Sequence, residues 1–451
     1  MRLLRKIKTM TYEQALQYIH SLHRFGVKPG LERIAALCTA LGSPQERLRC
    51  VHVAGTNGKG SACAMLAGIA MAAGMKTGLY TSPYVFEFRE RMRIDGEMIP
   101  EEDLCRWTQI LKDIAEALPE PVTEFEFNTA LAFAWFAEQG CELVVLEVGL
   151  GGRWDATNLI KAPLCSVIMK VALDHTEFLG DTLAKIAAEK CGIVKPGFPV
   201  VCTCGQDAEA LDVIEKTCEV RNSPLLVAHE AECEVLRSSL AGSECVLAGL
   251  PVRVPLAGRH MCQNALAAVK TARLLGFSDE AIQIGISRVS MPGRMQVLSA
   301  RPLVLFDGGH NADCARALAA ALEEYCPGQR FRALCGMMAD KDVQEYLRIL
   351  RPHIGHFIAC GLDNPRALSA EALAEYARAA GMENITIVST PEEASRLVIY
   401  PKEPAVSTPT NLRDSQRTKG SMGPRSSSGS PIYPLLICGS FSLTDFIPHR
   451  V

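Results

Sequence analysis

The stretch His52-Val-Ala-Gly-Thr-Asn-Gly-Lys-Gly-Ser61 decides the fold. An apolar run leads into a turn holding Gly55, Gly58 and Gly60, and a helical pattern runs from Ser61 to Ala73, closed by Gly74. Glycines let the backbone wrap a phosphate closely, with several N–H groups converging on it. A helix N-terminus adds partial positive charge there. Lys59 is placed to reach β and γ phosphates, and Ser61 is a candidate metal contact. Gly55, Thr56, Asn57, Gly58, Lys59, Gly60 and Ser61 are therefore candidate nucleotide-binding residues. The spacing is not a strict GxxxxGK, because Val53 stands five places before Gly58. The plain alternative is a glycine-rich turn without a ligand, and Lys-Gly-Ser at the helix start favours the phosphate.

Outward from this motif, strand and helix patterns alternate. Residues 11–42 suggest two short helices. Apolar runs predict strands at Thr77–Tyr80, Leu143–Val148 and Ser166–Val171, with helices around 102–117, 128–139 and 182–190. Such alternation predicts an α/β fold with a mostly parallel sheet, whose ligands bind at strand carboxyl ends. A second alternation has strands at 303–307, 332–336, 356–360, 384–388 and 435–439, and helices at 313–325, 341–350 and 370–380. Ser290-Met-Pro-Gly-Arg294 between them has linker chemistry. The expected layout is a P-loop-type domain at 1–290, a linker at 291–295 and a smaller Rossmann-like α/β domain at 296–451. Residues 401–431 are polar and poor in large apolar groups, which predicts a disordered loop.

Composition excludes several classes. The 451 residues carry 47 basic and 50 acidic side chains, a net charge of −3. That balance argues against a nucleic-acid binder held by phosphate contacts. The basic N-terminus MRLLRKIK has no apolar signal core after it. The longest uncharged apolar stretch, Ala62 to Met75, is shorter than the ~20 residues a bilayer requires. The 18 cysteines contain no CxxC. They are expected to be buried thiols of a cytoplasmic protein, not a metal or disulfide framework.

Other chemistry-bearing residues stand at predicted strand ends. Ser82 follows Thr77–Tyr80, Glu147 ends an apolar strand, and Asp174-His175 follow another. Hydroxyl, carboxylate and imidazole on one sheet edge beside a phosphate loop suit Mg²⁺. Singly, each has a structural explanation as a cap or a hydrogen-bonded side chain. Asp307-Gly-Gly-His310-Asn311 ends a strand of the second domain, and Asp307 and Asn311 also suit a turn and a helix cap. Arg294 lies in the linker.

Gly55–Ser61, Glu147-Val-Gly-Leu-Gly-Gly-Arg-Trp-Asp-Ala-Thr-Asn158, Asp174-His175, Glu189-Lys190-Cys-Gly-Ile-Val-Lys195 and Asp307–Asn311 occur in order. Together they resemble the dihydrofolate synthase/folylpolyglutamate synthase family, a branch of the Mur ligase superfamily. The resemblance runs from about residue 11 to 400 and resumes at 435–443. It implies ATP on the loop 55–61, one Mg²⁺ held by Ser82 and Glu147, and a second near His175. Lys190 matches a lysine carbamylated by CO₂, which requires a neutral amine and hence a depressed pKa. Lys59, Glu147, His175 and Lys190 are the implied catalytic set. Asn264, Arg294, Asp307 and His310 match the family's nucleotide site. Phe125, within Thr123–Phe127, and Asp155 match residues that receive a pteridine, and Ser440 one near the incoming glutamate. The implied reaction joins L-glutamate to dihydropteroate or to reduced folates through an acyl phosphate, in a monomer. A cell-wall-type amino-acid ligase and a nucleotide-binding module without catalysis are the alternatives. The ending Thr444–Arg450 and the polar segment before it depart from the family pattern.

Overall fold

The run Cys50–Ala54 is buried at every position, as a central parallel strand covered on both faces requires. The computed structural model describes residues 10–22, 29–391, 393–394 and 433–446. The basic start at 1–8 and the polar loop at 401–431 lie outside the described residues. The chain divides into two units, Met1–Pro292 and Gly293–Val451.

The first unit opens with α1 (Tyr12–Ser21) and α2 (Glu32–Ala40). Its main sheet contains β1 (Cys50–Ala54), β2 (Thr77–Tyr80), β3 (Met92–Ile94), β4 (Glu97–Met98), β5 (Leu143–Glu147), β6 (Cys165–Ile168), β7 (Val200–Cys202) and β8 (Leu225–Val227). Between these run α3 (Lys59–Ala72), α4 (Glu101–Ala117), α5 (Glu124–Glu138), α6 (Thr176–Leu179), α7 (Leu183–Lys190) and α8 (Ala208–Val220). The strand order is β4-β3-β2-β5-β1-β6-β7-β8. The six strands from β2 to β8 are parallel, and β3 and β4 add antiparallel pairs at one edge. Because β1 lies between β5 and β6, the loops leaving these three strands open on one sheet edge.

Each face of the sheet has its own core. On one, Val51, Val53 and Val145 pack with Met65, Leu66 and Ile69 of α3. A Cβ on Gly68 would stand 2.7 Å from the Gly285 carbonyl oxygen, so α3 meets α10 (Asp279–Ser287) backbone to backbone. The same core takes in a small antiparallel sheet of β9 (Cys233–Ser239), β10 (Gly242–Leu247) and β11 (Leu250–Val254), followed by α9 (Arg259–Leu274). On the other face, Phe127, Phe133 and Phe136 of α5 pack with α1, α2 and α4. Helix α5 starts at Glu124, four residues before its apolar pattern suggests. A capping box explains this: Thr123 Oγ1 accepts the Glu126 N–H at 3.2 Å, and the Glu126 carboxylate accepts the Thr123 N–H at 2.8 Å. The Glu126 carboxylate is also paired with buried Arg33 at 3.1 Å.

The second unit holds β12 (Gln296–Ala300), β13 (Leu303–Asp307), β14 (Phe331–Cys335), β15 (Ile354–Cys360), β16 (Ile385–Val388) and β17 (Leu435–Cys438), with α11 (Ala312–Tyr325), α12 (Val343–Leu350) and α13 (Ala370–Ala379). Its sheet order is β12-β13-β17-β14-β15-β16, parallel except for the edge strand β12. Both units are thus α/β, as the alternation predicts.

No cysteine is in a disulfide, and all but Cys141 and Cys314 are buried. Burial pushes the Cys38, Cys165 and Cys191 thiols up to about 12, so they pack as small apolar groups. Among the described residues no helix is long and apolar enough to cross a membrane.

Candidate active site

Between β1 and α3 the chain has no room for side chains at two positions. A Cβ on Gly55 would stand 2.6 Å from Met169 Cβ. Gly58 is left-handed (φ +83°), and a Cβ there would stand 2.5 Å from Asn264 Oδ1. Thr56 and Asn57 donate their N–H groups to the Lys170 carbonyl at 2.8 and 3.2 Å. Thr56 Oγ1 donates to the Ala172 carbonyl at 3.0 Å. These bonds tie the loop to the segment after β6. Gly58, the N-cap of α3, offers no side-chain acceptor. The first-turn amides of α3 have no carbonyl partner within the helix and face outward from its end. Lys59 Nζ folds back to the Gly55 and Thr56 carbonyls at 2.9 and 3.1 Å. A phosphate oxygen is a stronger partner for an ammonium than either carbonyl. Ser61 Oγ donates to the Gly58 carbonyl at 3.0 Å and accepts Asn264 Nδ2 at 2.9 Å. Asn264, carried by α9, is thereby tied to the loop.

Carboxylate and hydroxyl chemistry lies beside this helix end. Ser82 and Glu147 follow from the neighbouring strands β2 and β5, and the Ser82 N–H donates to Glu147 Oε2 at 3.2 Å. The two Glu147 oxygens lie 3.5 and 3.7 Å from where a Gly60 Cβ would stand. After β6, His175 has φ +51°, an uncommon and strained conformation for a histidine. Asp174 Oδ1 accepts the His175 N–H at 2.9 Å and lies 3.9 Å from its Nε2. Among the described residues no group of three or more His, Cys, Asp or Glu could hold a metal ion by itself.

Lys190 ends α7 and is 3% exposed. Burial, and next the charge of Lys59, lower its ammonium pKa to about 7, against the pull of Asp174 and Asp155. The loop 149–158 locks this helix end in place. The Arg153 N–H donates to the Glu189 carbonyl at 2.8 Å, and Asn158 Nδ2 to the Gly192 carbonyl at 3.2 Å. A Cβ on Gly152 would stand 2.8 Å from the Lys190 carbonyl oxygen, so this approach also requires glycine.

Phe125, in the first turn of α5, is half-buried. Its ring lies 2.5 Å from where a Gly149 Cβ would stand, and 6.0 Å from the Tyr80 ring centroid. Buried Asp155 accepts N–H groups of Gly149 and Leu150 at 2.9 Å each and of Thr157 at 3.0 Å, and the Thr157 hydroxyl. All four acceptor directions of the carboxylate are used inside the loop. Asp155 therefore organises the loop, and a bond to a ring edge requires the release of one of these donors.

Arg294, Asp307, His310 and Ser440 belong to the second unit. The Arg294 guanidinium lies 4.9 Å over the Phe441 ring. Asp307 Oδ2 accepts the Met295 N–H and Oδ1 the Gly309 N–H, each at 2.9 Å. His310 is partly buried, between Gly309 and the α11 cap Asn311. Ser440 Oγ accepts the Ser442 N–H at 3.0 Å. Phe441 escaped sequence reasoning. Its available signal was an aromatic directly after the Gly-Ser that closes the last strand. A Cβ on Gly308 would stand 2.4 Å from the Phe441 ring, so the ring needs that glycine.

The chain matches the Mur ligase middle domain over residues 53–272 and the Mur ligase, glutamate ligase domain over 293–403. The dihydrofolate synthase/folylpolyglutamate synthase of Bacillus subtilis is 36% identical over 382 residues, which span 80% of this chain and 88% of that one. Mycobacterium tuberculosis folylpolyglutamate synthase complexed with ADP superposes with a TM-score of 0.81 at 28% identity, over 96% of each chain. An FPGS–AMPPCP–folate complex superposes at 0.78 with 30% identity, over 96% of this chain and 98% of that one.

Proposed function

This chain belongs to the folylpolyglutamate synthase/dihydrofolate synthase family of Mur ligases, and from that premise we propose the reaction it catalyses. It is an ATP-dependent amide ligase that joins L-glutamate to dihydropteroate, to the glutamate tail of reduced folates, or to both. One observation carries the reading: the uncapped N-terminus of α3, with Lys59 above it and Ser82–Glu147 beside it. Relatives that bind ADP, or AMPPCP with folate, support it.

A carboxylate does not react with an amine in neutral water, because oxide is a poor leaving group. Transfer of the ATP γ-phosphoryl group to the acceptor carboxylate gives an acyl phosphate and ADP. The glutamate nitrogen then attacks the acyl carbon, the C–O bond to phosphate breaks, and the amine proton is lost. Little covalent work falls to the protein, so its task is positioning and charge neutralisation. Lys59 Nζ leaves the loop carbonyls for the phosphates, and the α3 amides hold their oxygens. Asn264 fixes the loop from behind through Ser61.

Oxygen donors beside a phosphate loop fit Mg²⁺. Ser82 and Glu147 would hold one ion, and His175 with a carbamylated Lys190 would serve a second. The buried Lys190 amine fits that modification, since a pKa of about 7 leaves much of it neutral. Bound there, the ions would supply charge neutralisation on the transferring phosphoryl group. Arg294, Asp307 and His310 are proposed for the nucleotide, Phe125 and the Asp155 loop for the pteridine, and Ser440 for the glutamate side. The setting is a monomer in the cytoplasm, in keeping with mostly buried thiols that form no disulfide.

The test is a phosphate-release assay with ATP, Mg²⁺ and L-glutamate, run in parallel on dihydropteroate and tetrahydrofolate. One phosphate is expected for each amide formed. Purified protein that forms no amide with either acceptor overturns the assignment.

A further inference from the structure

A buried relay behind the loop 149–157 has no part in the reaction as written. His52, at the centre of β1, is fully buried. Its Nε2 lies 2.7 Å from Thr157 Oγ1, 105 residues away in sequence. The Thr157 hydroxyl in turn meets Asp155 Oδ1. With three backbone N–H groups also on the Asp155 carboxylate, no position is left for a proton, so the Thr157 hydroxyl donates. The bond between His52 and Thr157 is then donated by the ring, which fixes the Nε2–H tautomer. Burial, aided by Lys195, pushes the ring pKa down to about 3, so it is neutral at any working pH.

Packing alone does not account for this residue. The other nitrogen, Nδ1, is buried and has no hydrogen-bond partner among the described residues. An unmet buried acceptor costs stability, whereas an apolar side chain of similar size carries no such cost. What the imidazole provides in return is one directed hydrogen bond. That bond leads to Asp155, and Asp155 holds Gly149 beneath the Phe125 ring. The phosphate loop is fastened separately, to Lys170 and Ala172.

We infer that His52 is a positioning residue for the acceptor side of the site: its Nε2–H orients Thr157, which holds Asp155 and keeps the loop 149–157 shaped against Phe125 for a flat aromatic ring. The inference rests on the acceptor role proposed for Phe125. It separates acceptor binding from ATP binding, because the relay touches only one of the two loops.

The test uses the full chain with His52→Leu, His52→Gln and Thr157→Val. KM is measured for tetrahydrofolate and for ATP, and hydrogen exchange is followed at the Gly149 and Leu150 amides. His52→Leu and Thr157→Val should each raise the folate KM about tenfold, the scale of one lost hydrogen bond, with the ATP KM nearly unchanged. The double variant should be no worse than the weaker single one, since both cut the same chain. His52→Gln, whose amide can donate from near the Nε2 position, should recover most of the loss. In His52→Leu the two amides should exchange faster. Folate and ATP KM rising together, Gln no better than Leu, or unchanged exchange at Gly149 and Leu150 overturns the relay. Should His52→Leu not fold, the nearly isosteric Thr157→Val decides the matter alone. If the wild type accepts dihydropteroate alone, the same KM comparison is made on it; should it use neither acceptor, the proposed function fails, while the exchange measurement still decides the relay.

Discussion

Two loops of this protein look alike in sequence and behave differently in structure. Both the turn after β1 and the turn after β13 link a parallel strand to a helix through glycines. In the first, the helix N-cap is Gly58, which has no side chain to accept the first-turn amides of α3. In the second, Asn311 Oδ1 accepts the Cys314 N–H at 2.9 Å, and the Asp307 carboxylate accepts two more backbone amides. The first loop leaves donors for an anion and adds the charge of Lys59. The second meets its own donors and carries a negative charge. Glycines shape a turn, but the cap residue decides whether its helix amides are left for an anion; a nucleotide at the second loop would meet the side chains of Asp307 and His310 instead.

The sharpest way to break this contrast is at Lys59. Lys59→Ala should lower kcat by about 10³-fold, the scale of losing a charged transition-state donor. The melting temperature should hardly move, since the side chain bonds only to its own loop. A phosphate-release rate close to wild type would remove the phosphate loop from the mechanism. Lys190→Ala comes next, with an expected loss of about 10²-fold, on the scale of a disturbed metal environment. Short carboxylic acids should partly restore the rate, because they replace the missing carboxylate. Full activity without rescue would show that no carbamate is needed. Lys190 also sets a pH direction. Its pKa is lowered from 10.5 to about 7. The neutral amine therefore grows as pH rises through about 7, and CO₂-dependent activation should grow with it. In CO₂-free buffer, the unfolded chain binds a proton that the folded chain lacks between those two values. Stability should thus climb with pH across that window and fall as pH drops back toward 7. A flat or opposite stability profile would contradict the buried amine.

What was legible in the sequence follows the same division between local and distant causes. The parallel strands were legible because burial on both faces forces unbroken apolar runs such as Leu143–Glu147, buried at all five positions. The predicted strands 303–307 and 435–439 meet β13 and β17 almost end to end. The antiparallel β9 and β10 were missed, since one face is solvated and Glu234, Arg237 and Glu244 interrupt them. Strands β3 and β4 are too short to show a period. The start of α5 was misjudged because a capping box, not apolar spacing, sets it. At the candidate site, the glycine turn and the start of α3 could be read because Gly55, Gly58, Lys59, Gly60 and Ser61 are close together in sequence. The bond between Asn264 and Ser61, across 203 residues, and the stacking of Arg294 on Phe441 have no local signature. Only the fold brings those partners together.

The smallest effect is the most informative about the second loop. If Asn311 is a cap, Asn311→Ala should cost about 1 kcal/mol of stability. In a unit of this size that is roughly 2–4 °C in melting temperature. Nucleotide affinity should change little, because the exposed α11 amides then bond to water. The reverse pattern, an unchanged melting temperature with weakened ADP binding, would mean that Asn311 serves a ligand. The two loops would then be alike after all, and the glycines, not the caps, would be the better guide to binding. A loss of stability with intact ADP affinity leaves the contrast standing: α3 is open at its N-terminus by construction, and α11 is closed by its own asparagine.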